Sequence, residues 1–218
     1  MKNRSAFSLA EVLITLGIIG IVASMTMPVL IERHQKKVIA TSLKKFYTLI
    51  NQAVQQSIID NGDTIYWTYP ASNNSQEVLV FYDTYLRKYI KSLKVEEIQK
   101  EDEINGTYNY VAVYLPDGSA FLLRGTQGMD IEFYPQAKNI SKGYSQRTRF
   151  AFQFHKNRAE NVNPDKYSLL VEPYTYNWDG TREGLLSNSR FGCAGITHNY
   201  CTKLIQDSGW EIPNDYPW

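Results

Sequence analysis

Residues 7–31 form a run of 25 positions in which Glu11 is the only charged side chain. An apolar stretch of 18 or more residues with so little charge reads as a membrane-spanning helix. At about 1.5 Å per residue its length is roughly 37 Å, more than the roughly 30 Å of a hydrocarbon core. Nothing comparable recurs in the 218 residues. The chain is therefore read as one ordinary domain tethered by a hydrophobic end, since its length falls short of two full-sized domains. With 23 basic against 22 acidic side chains, it lacks the basic excess of a nucleic-acid binder.

An ordinary secretory signal is the first alternative, because Met1-Lys2-Asn3-Arg4 is a short basic leader. Two features oppose it. Glu11 falls where a signal core is uncharged, and the best small-residue site, Ile21-Val22-Ala23, begins with a large side chain. A carboxylate near the start of an apolar span is costly, and asks for a compensating partner. A free α-amino group made by cleavage just upstream is such a partner. It is positive at neutral pH, and Phe7 and Glu11, four apart, share one helix face.

Ser5-Ala6-Phe7-Ser8-Leu9-Ala10-Glu11, behind a basic leader and ahead of an apolar helix, resembles the signature of type IV prepilins and type II secretion pseudopilins. The resemblance implies that a membrane-embedded prepilin peptidase cuts between Ala6 and Phe7 and then N-methylates Phe7. It implies that Glu11 neutralises an N-terminal amine during filament assembly. Gly20 and Pro28 match positions bounding the stretch where the helix loosens in filaments, consistent with the helix-weakening chemistry of both residues. Ala6 departs from the family, which usually has Gly there, while keeping a small residue at the cut. Removing residues 1–6 leaves 21 basic against 22 acidic side chains. The leader-inside, domain-outside orientation comes from the resemblance, because the basic residues on the two sides of the span give no clear vote.

Beyond Pro28 the helical period continues. Ile39, Leu43, Phe46, Ile50, Ala53/Val54 and Ser57/Ile58 recur at threes and fours, while Lys36, Lys37, Lys44, Lys45, Asn51, Gln52, Gln55 and Gln56 populate the other surface. Asn61-Gly62 is a stop signal. The organisation read here is a leader at 1–6, a transmembrane or filament-core helix at 7–31, its amphipathic continuation at 32–61, and a globular domain at 62–218. Residues 62–76 are turn-rich. A second helix is expected from Val78 to Leu93, and the charged run 94–103 is expected to be a solvated helix end or loop. Strands are expected at 108–115 and 119–123, joined by Pro116-Asp117-Gly118, at 149–155 and 167–171, and more weakly at 129–134. Together these make an α+β fold. The pilin resemblance implies that the outer half of the long helix packs on an antiparallel sheet of about four strands.

Cys193 and Cys201 stand eight apart in a Gly-containing segment. A disulfide is the favoured reading for a domain outside the cytoplasm. Two free thiols, or a metal site adding His198, are the alternatives, although three ligands leave a structural zinc one short. Asn177-Trp178-Asp179-Gly180 lacks the spaced oxygen ligands of a calcium loop and reads as a turn. No nucleotide, zinc-protease or nucleophile-elbow motif occurs. The expectation is a structural subunit without catalytic residues, metal or cofactor. Its implied partners are prepilin peptidase, other pilin or pseudopilin subunits, an inner-membrane assembly platform with its ATPase, and membrane lipid, with no nucleic acid. A true pilus or competence subunit is one rival. A non-polymerising membrane-anchored protein that holds a glycan or peptide on Tyr and Trp is the other.

Overall fold

The computed structural model describes residues 8–102, 106–126, 128–155 and 170–218. Ala6, Phe7 and the expected strand residues 167–169 lie outside the described residues. Two compact units divide the chain, one up to Val38 and one from Ile39 to Trp218. Helix α1 (Leu9–Asn61) contributes to both, and ends where expected. Gly62, at φ 79°, takes the left-handed position that closes the last turn.

In the second unit, α1 buries Leu43, Phe46, Ile50, Ala53 and Val54. This is the apolar stripe read from the sequence, and it meets an antiparallel six-stranded sheet in simple order. The strands are β1 (Lys94–Asp102), β2 (Gly106–Tyr114), β3 (Ala120–Gly125), β4 (Met129–Tyr134), β5 (Phe150–Phe154) and β6 (Val171–Pro173). Alternation sets the inner face. Phe121, Phe133 and Phe152 sit on neighbouring strands and surround Phe46, with ring centroids 5.3, 4.3 and 5.3 Å away. Helix α2 (Ser75–Tyr85) adds Val78, Phe81 and Tyr82 to the same core. Two short helices, α3 (Arg182–Ser187) and α4 (Cys201–Asp207), complete the unit. The α+β architecture is the expected one, with six strands in place of about four.

Three expectations are corrected. The charged run from Lys94 is a strand, paired with β2 from Lys94↔Tyr114 to Asp102↔Gly106. It is an edge strand, so its apolar alternation is weak and charge on it discourages further pairing. The second helix ends at Tyr85, because the amides of Leu86 and Arg87 both donate to the Tyr82 carbonyl and the chain turns away. The apolar period persists beyond that point because Tyr89 and Ile90 still pack on the core. Asn51, expected on the polar surface of α1, is buried. Its side-chain amide donates to the Val171 carbonyl at 2.8 Å, and its oxygen accepts the Val171 amide at 3.1 Å. The side chain thus ties α1 to β6 as a neighbouring strand would.

Candidate functional site

At its N-terminal end, α1 opens with a reciprocal cap. The Ser8 amide and hydroxyl donate to Glu11 Oε2 at 2.8 and 2.9 Å, and the Glu11 amide donates back to Ser8 Oγ at 3.2 Å. Ser8-Leu9-Ala10-Glu11 is a capping box, which satisfies amides that the helix start leaves without partners. The S-x-x-E spacing carried this signal in the sequence. Beyond it, Leu13, Ile14, Leu16, Ile18, Ile19 and Ile21 are each more than half exposed. At about 100° per residue they occupy the whole circumference of the helix. The hydroxyls of Thr15, Ser24 and Thr26 donate to carbonyls of their own helix, so each is satisfied in apolar surroundings. The helix is continuous through Gly20 and Pro28, and a Cβ at Gly20 would meet nothing within 4 Å.

At the other end of the chain, Cys193 and Cys201 form a disulfide, both fully buried. The bond consumes both sulfurs that the metal reading required. His198 lies inside the closed loop at φ 54°, with Nδ1 2.8 Å from the Cys193 carbonyl oxygen. Packing is tight here: a Cβ on Gly195 would lie 2.4 Å from the Asn188 carbonyl oxygen.

This loop delivers two acceptors to the outer face of the sheet. Arg149 Nη1 donates to Asn199 Oδ1 at 2.8 Å and to the Thr197 carbonyl at 3.2 Å, while Nη2 donates to Glu132 Oε1 at 2.7 Å. Glu132 also accepts from Lys100 Nζ at 3.0 Å and from the Tyr134 hydroxyl at 2.7 Å. Glu132 and Arg149 are only 4% and 6% exposed, so this is a buried charge network. Burial alone would raise the Glu132 carboxyl, but the charges of Arg149 and Lys100 outweigh it and hold Glu132 well below the usual carboxylate range. Next to it, Arg124 and Asp130 stand opposite each other on β3 and β4, with Nη2 and Oδ2 2.8 Å apart. Burial raises the Asp130 carboxyl above its ordinary value against the pull of Arg124. Each guanidinium lies over a ring, Arg124 4.3 Å from the centroid of Tyr108 and Arg149 4.5 Å from that of Tyr144. These groups wall a cavity of about 260 Å³.

Sequence reasoning missed this cluster. Arg124, Asp130 and Glu132 occupy outward positions of strands, where charge ordinarily marks a wet face. Nothing local told that the segments carrying Tyr144 and Asn199 would cover them.

An apolar helix opened by a capped carboxylate and continued into an α+β domain defines a pilin-like architecture. Residues 1–27 match the prokaryotic N-terminal methylation motif. The chain accordingly carries a prepilin-type motif, and is a pilin-like protein of the kind that prepilin peptidase processes. Residues 29–218 match a family described as family of unknown function (DUF6613), and the chain belongs to that family. No curated protein and no solved structure matches it.

Proposed function

We propose that the chain is a structural subunit, a pseudopilin, of a type II secretion or type IV pilus-like filament. On this reading prepilin peptidase cuts between Ala6 and Phe7, Phe7 is N-methylated, and the subunit assembles through its N-terminal helix. The observation that carries the reading is a helix apolar around its circumference and headed by a carboxylate. Such a surface is stable only against lipid or against other apolar helices. Lipid supplies that surroundings before assembly, and neighbouring subunits supply it afterwards.

Glu11 is the group that distinguishes assembly from simple anchoring. A neighbouring α-amine, largely protonated at pH 7, pairs with it as helices bundle. Gly20 and Pro28 bound the stretch that loosens as the subunit leaves the bilayer. Pro28 has no amide to give the Ser24 carbonyl, so that turn starts one hydrogen bond short. The Cys193–Cys201 bond supports an extracytoplasmic domain, since disulfides persist in oxidising compartments. An inner-membrane platform with its ATPase supplies the work of extraction.

The test is the mass of the N-terminal peptide from native membranes, with and without prepilin peptidase. A methylated peptide starting at Phe7 that disappears without the enzyme is expected. A peptide retaining Met1 in both samples would overturn the reading and leave a static membrane-anchored protein.

A further inference from the structure

The two edges of the sheet are finished differently. At the β6 edge the outward backbone groups of Val171 are both held by Asn51, and Pro173 has no amide to offer. At the β1 edge no such cover is present among the described residues. The Leu115 amide donates to the Ser119 carbonyl in the β2–β3 register. Odd-numbered residues of β2 therefore turn their backbone groups toward β3, and even-numbered ones toward β1. Their partners on β1, at 94, 96, 98 and 100, are satisfied in this way. The amides and carbonyls of Val95, Glu97, Gln99 and Glu101 point to the open side. We propose that this edge pairs antiparallel with β1 of a second copy of the chain, about a two-fold axis at Ile98, joining two sheets into one.

Charge selects the occupant and its register. The open-side groups pair only odd with odd, so a two-fold arrangement must centre on a residue rather than between two. Centred on Glu96, Glu97, Gln99 or Lys100, the strand sets like charges opposite each other. These are Glu96 on Glu96, Glu97 on Glu97, Glu97 on Glu101, or Lys100 on Lys100, and such pairs are destabilising. Centred on Ile98, it sets Glu96 opposite the second copy's Lys100 on both sides of the axis. Glu97 then meets Gln99, Val95 meets Glu101, and no like charges stand opposite among residues 94–101. The charges that oppose pairing with an arbitrary strand thus leave open the register in which this strand meets itself.

Even-numbered positions of β1 lie on the outer face, where Ile98 packs on the cluster of Tyr110, Ala112, Leu122 and Tyr134. Ile98 falls at a site of the new ladder without hydrogen bonds, where opposed Cα atoms approach to about 4.5 Å. The two isoleucines therefore join the two outer-face clusters. Glu96 keeps Lys94 at 2.6 Å and Lys100 keeps Glu132 at 3.0 Å. The attraction of Glu96 and Lys100 across the axis is one of cross-strand proximity and displaces neither bond. The axis stands normal to the sheet, so it reverses the direction of α1 over the second sheet. Subunits of one filament share a direction. On the filament reading the contact joins copies from separate filaments or facing membranes, and is not the helix bundling of assembly.

The pairing uses residues of the second unit alone, so it stands or falls apart from prepilin processing. Its test uses the full chain in detergent micelles. A contact of this size is expected to dissociate at about 10–100 µM, so the protein is held at about 100 µM. The two native cysteines are joined to each other, so an introduced thiol has only its counterpart to join. Ile98→Cys is expected to give a disulfide-linked dimer under mild oxidation, because about 4.5 Å lies within the Cα range of disulfides. Glu101→Cys, on the same exposed edge, is expected to stay monomeric. In this register its counterpart stands opposite residue 95, about 20 Å along the strand. In the Ile98→Cys background, Glu96→Lys should lower the dimer yield about tenfold, since two like-charged pairs replace two opposite ones. Gln99→Pro removes an open-side amide, leaves the ladder to β2 intact, and should abolish the dimer. Urea midpoints of both variants are expected to match that of Ile98→Cys. A monomeric Ile98→Cys overturns the proposal, and so does a Glu101→Cys that cross-links equally well. A dimer yield unmoved by both Glu96→Lys and Gln99→Pro overturns it as well.

Discussion

Removing the charges of Glu132 and Arg149 together should cost clearly less than the sum of removing each alone. In Arg149→Met the carboxylate stays buried with Lys100, Tyr134 and Tyr110 as its remaining partners. The acceptors of Asn199 and Thr197 lose their donor as well. Breaking one side of such a pair costs about 3–5 kcal/mol. Glu132→Gln keeps the shape but strands Arg149 in an enclosed site beside Lys100, for a similar loss. In the double variant neither uncompensated charge is present. The two effects should then fall short of additivity by about 1.5–3 kcal/mol. Urea titration followed by Trp fluorescence reads this cleanly, because all four tryptophans, at 67, 178, 210 and 218, lie in the second unit. Against a stability of roughly 5–15 kcal/mol, each single variant should remain folded with a much lower midpoint. Additive effects, within about 0.5 kcal/mol, would refute the claim that the two residues belong to one network.

Replacing both cysteines with alanine should lower stability by about 2–3 kcal/mol, read as a fall in the same urea midpoint, and should loosen the Thr197 and Asn199 contacts to Arg149. Asn51→Ala strips both backbone groups of buried Val171 of their partners, so a loss of about 2–4 kcal/mol is expected, with faster hydrogen exchange at the Val171 amide. Glu132 has a folded pKa depressed below its unfolded value of about 4.3. Its contribution is therefore complete above that value and is lost as pH falls below it; Glu132→Gln should flatten the acid limb of a stability–pH curve. Asp130, shifted upward, acts in the opposite sense and leaves part of the curve in place. Glu11→Gln retains a side chain able to complete the capping box, so membrane insertion should be unchanged while filament yield falls, as quantified by sheared-filament immunoblots.

What the sequence revealed follows from how local each signal is. The stripe from Leu43 to Val54 was legible because one helix face repeats it and burial alone explains it. The inner face of the sheet was legible for the same reason, in Phe121, Phe133 and Phe152. Asn51 was misread because its partner lies 120 residues away, beyond any periodicity. β1 was misread because an edge strand can be charged on both faces and still pair fully through its backbone. The outer-face cluster was illegible for a third reason. Its residues obey the sheet period, but the cover that turns them from solvated to buried comes from segments whose own sequence is irregular. The capping box was present in plain spacing at Ser8 and Glu11. It went unread because the same glutamate already had a role in the prepilin resemblance.

The two charged sites of this chain solve one problem in opposite ways. Glu132 is satisfied by residues from three strands and an adjoining segment, so its partners are permanent and its removal destabilises the fold. Among the described residues, Glu11 is held by Ser8, within one turn. A carboxylate held only by its own helix start can exchange partners without unfolding anything. That is the property an assembly contact requires. On the proposed reading a capped Glu11 waits in a membrane-held subunit, and a neighbour's amine competes with the Ser8 contacts. If a third element had enclosed Glu11 as β5 and the loop at Asn199 enclose Glu132, the same residue would be a stability determinant and could not select a neighbour. The difference between the two glutamates is therefore set by how many of the described elements hold each one, and the loosely held one is the one to which the proposed assembly contact is assigned.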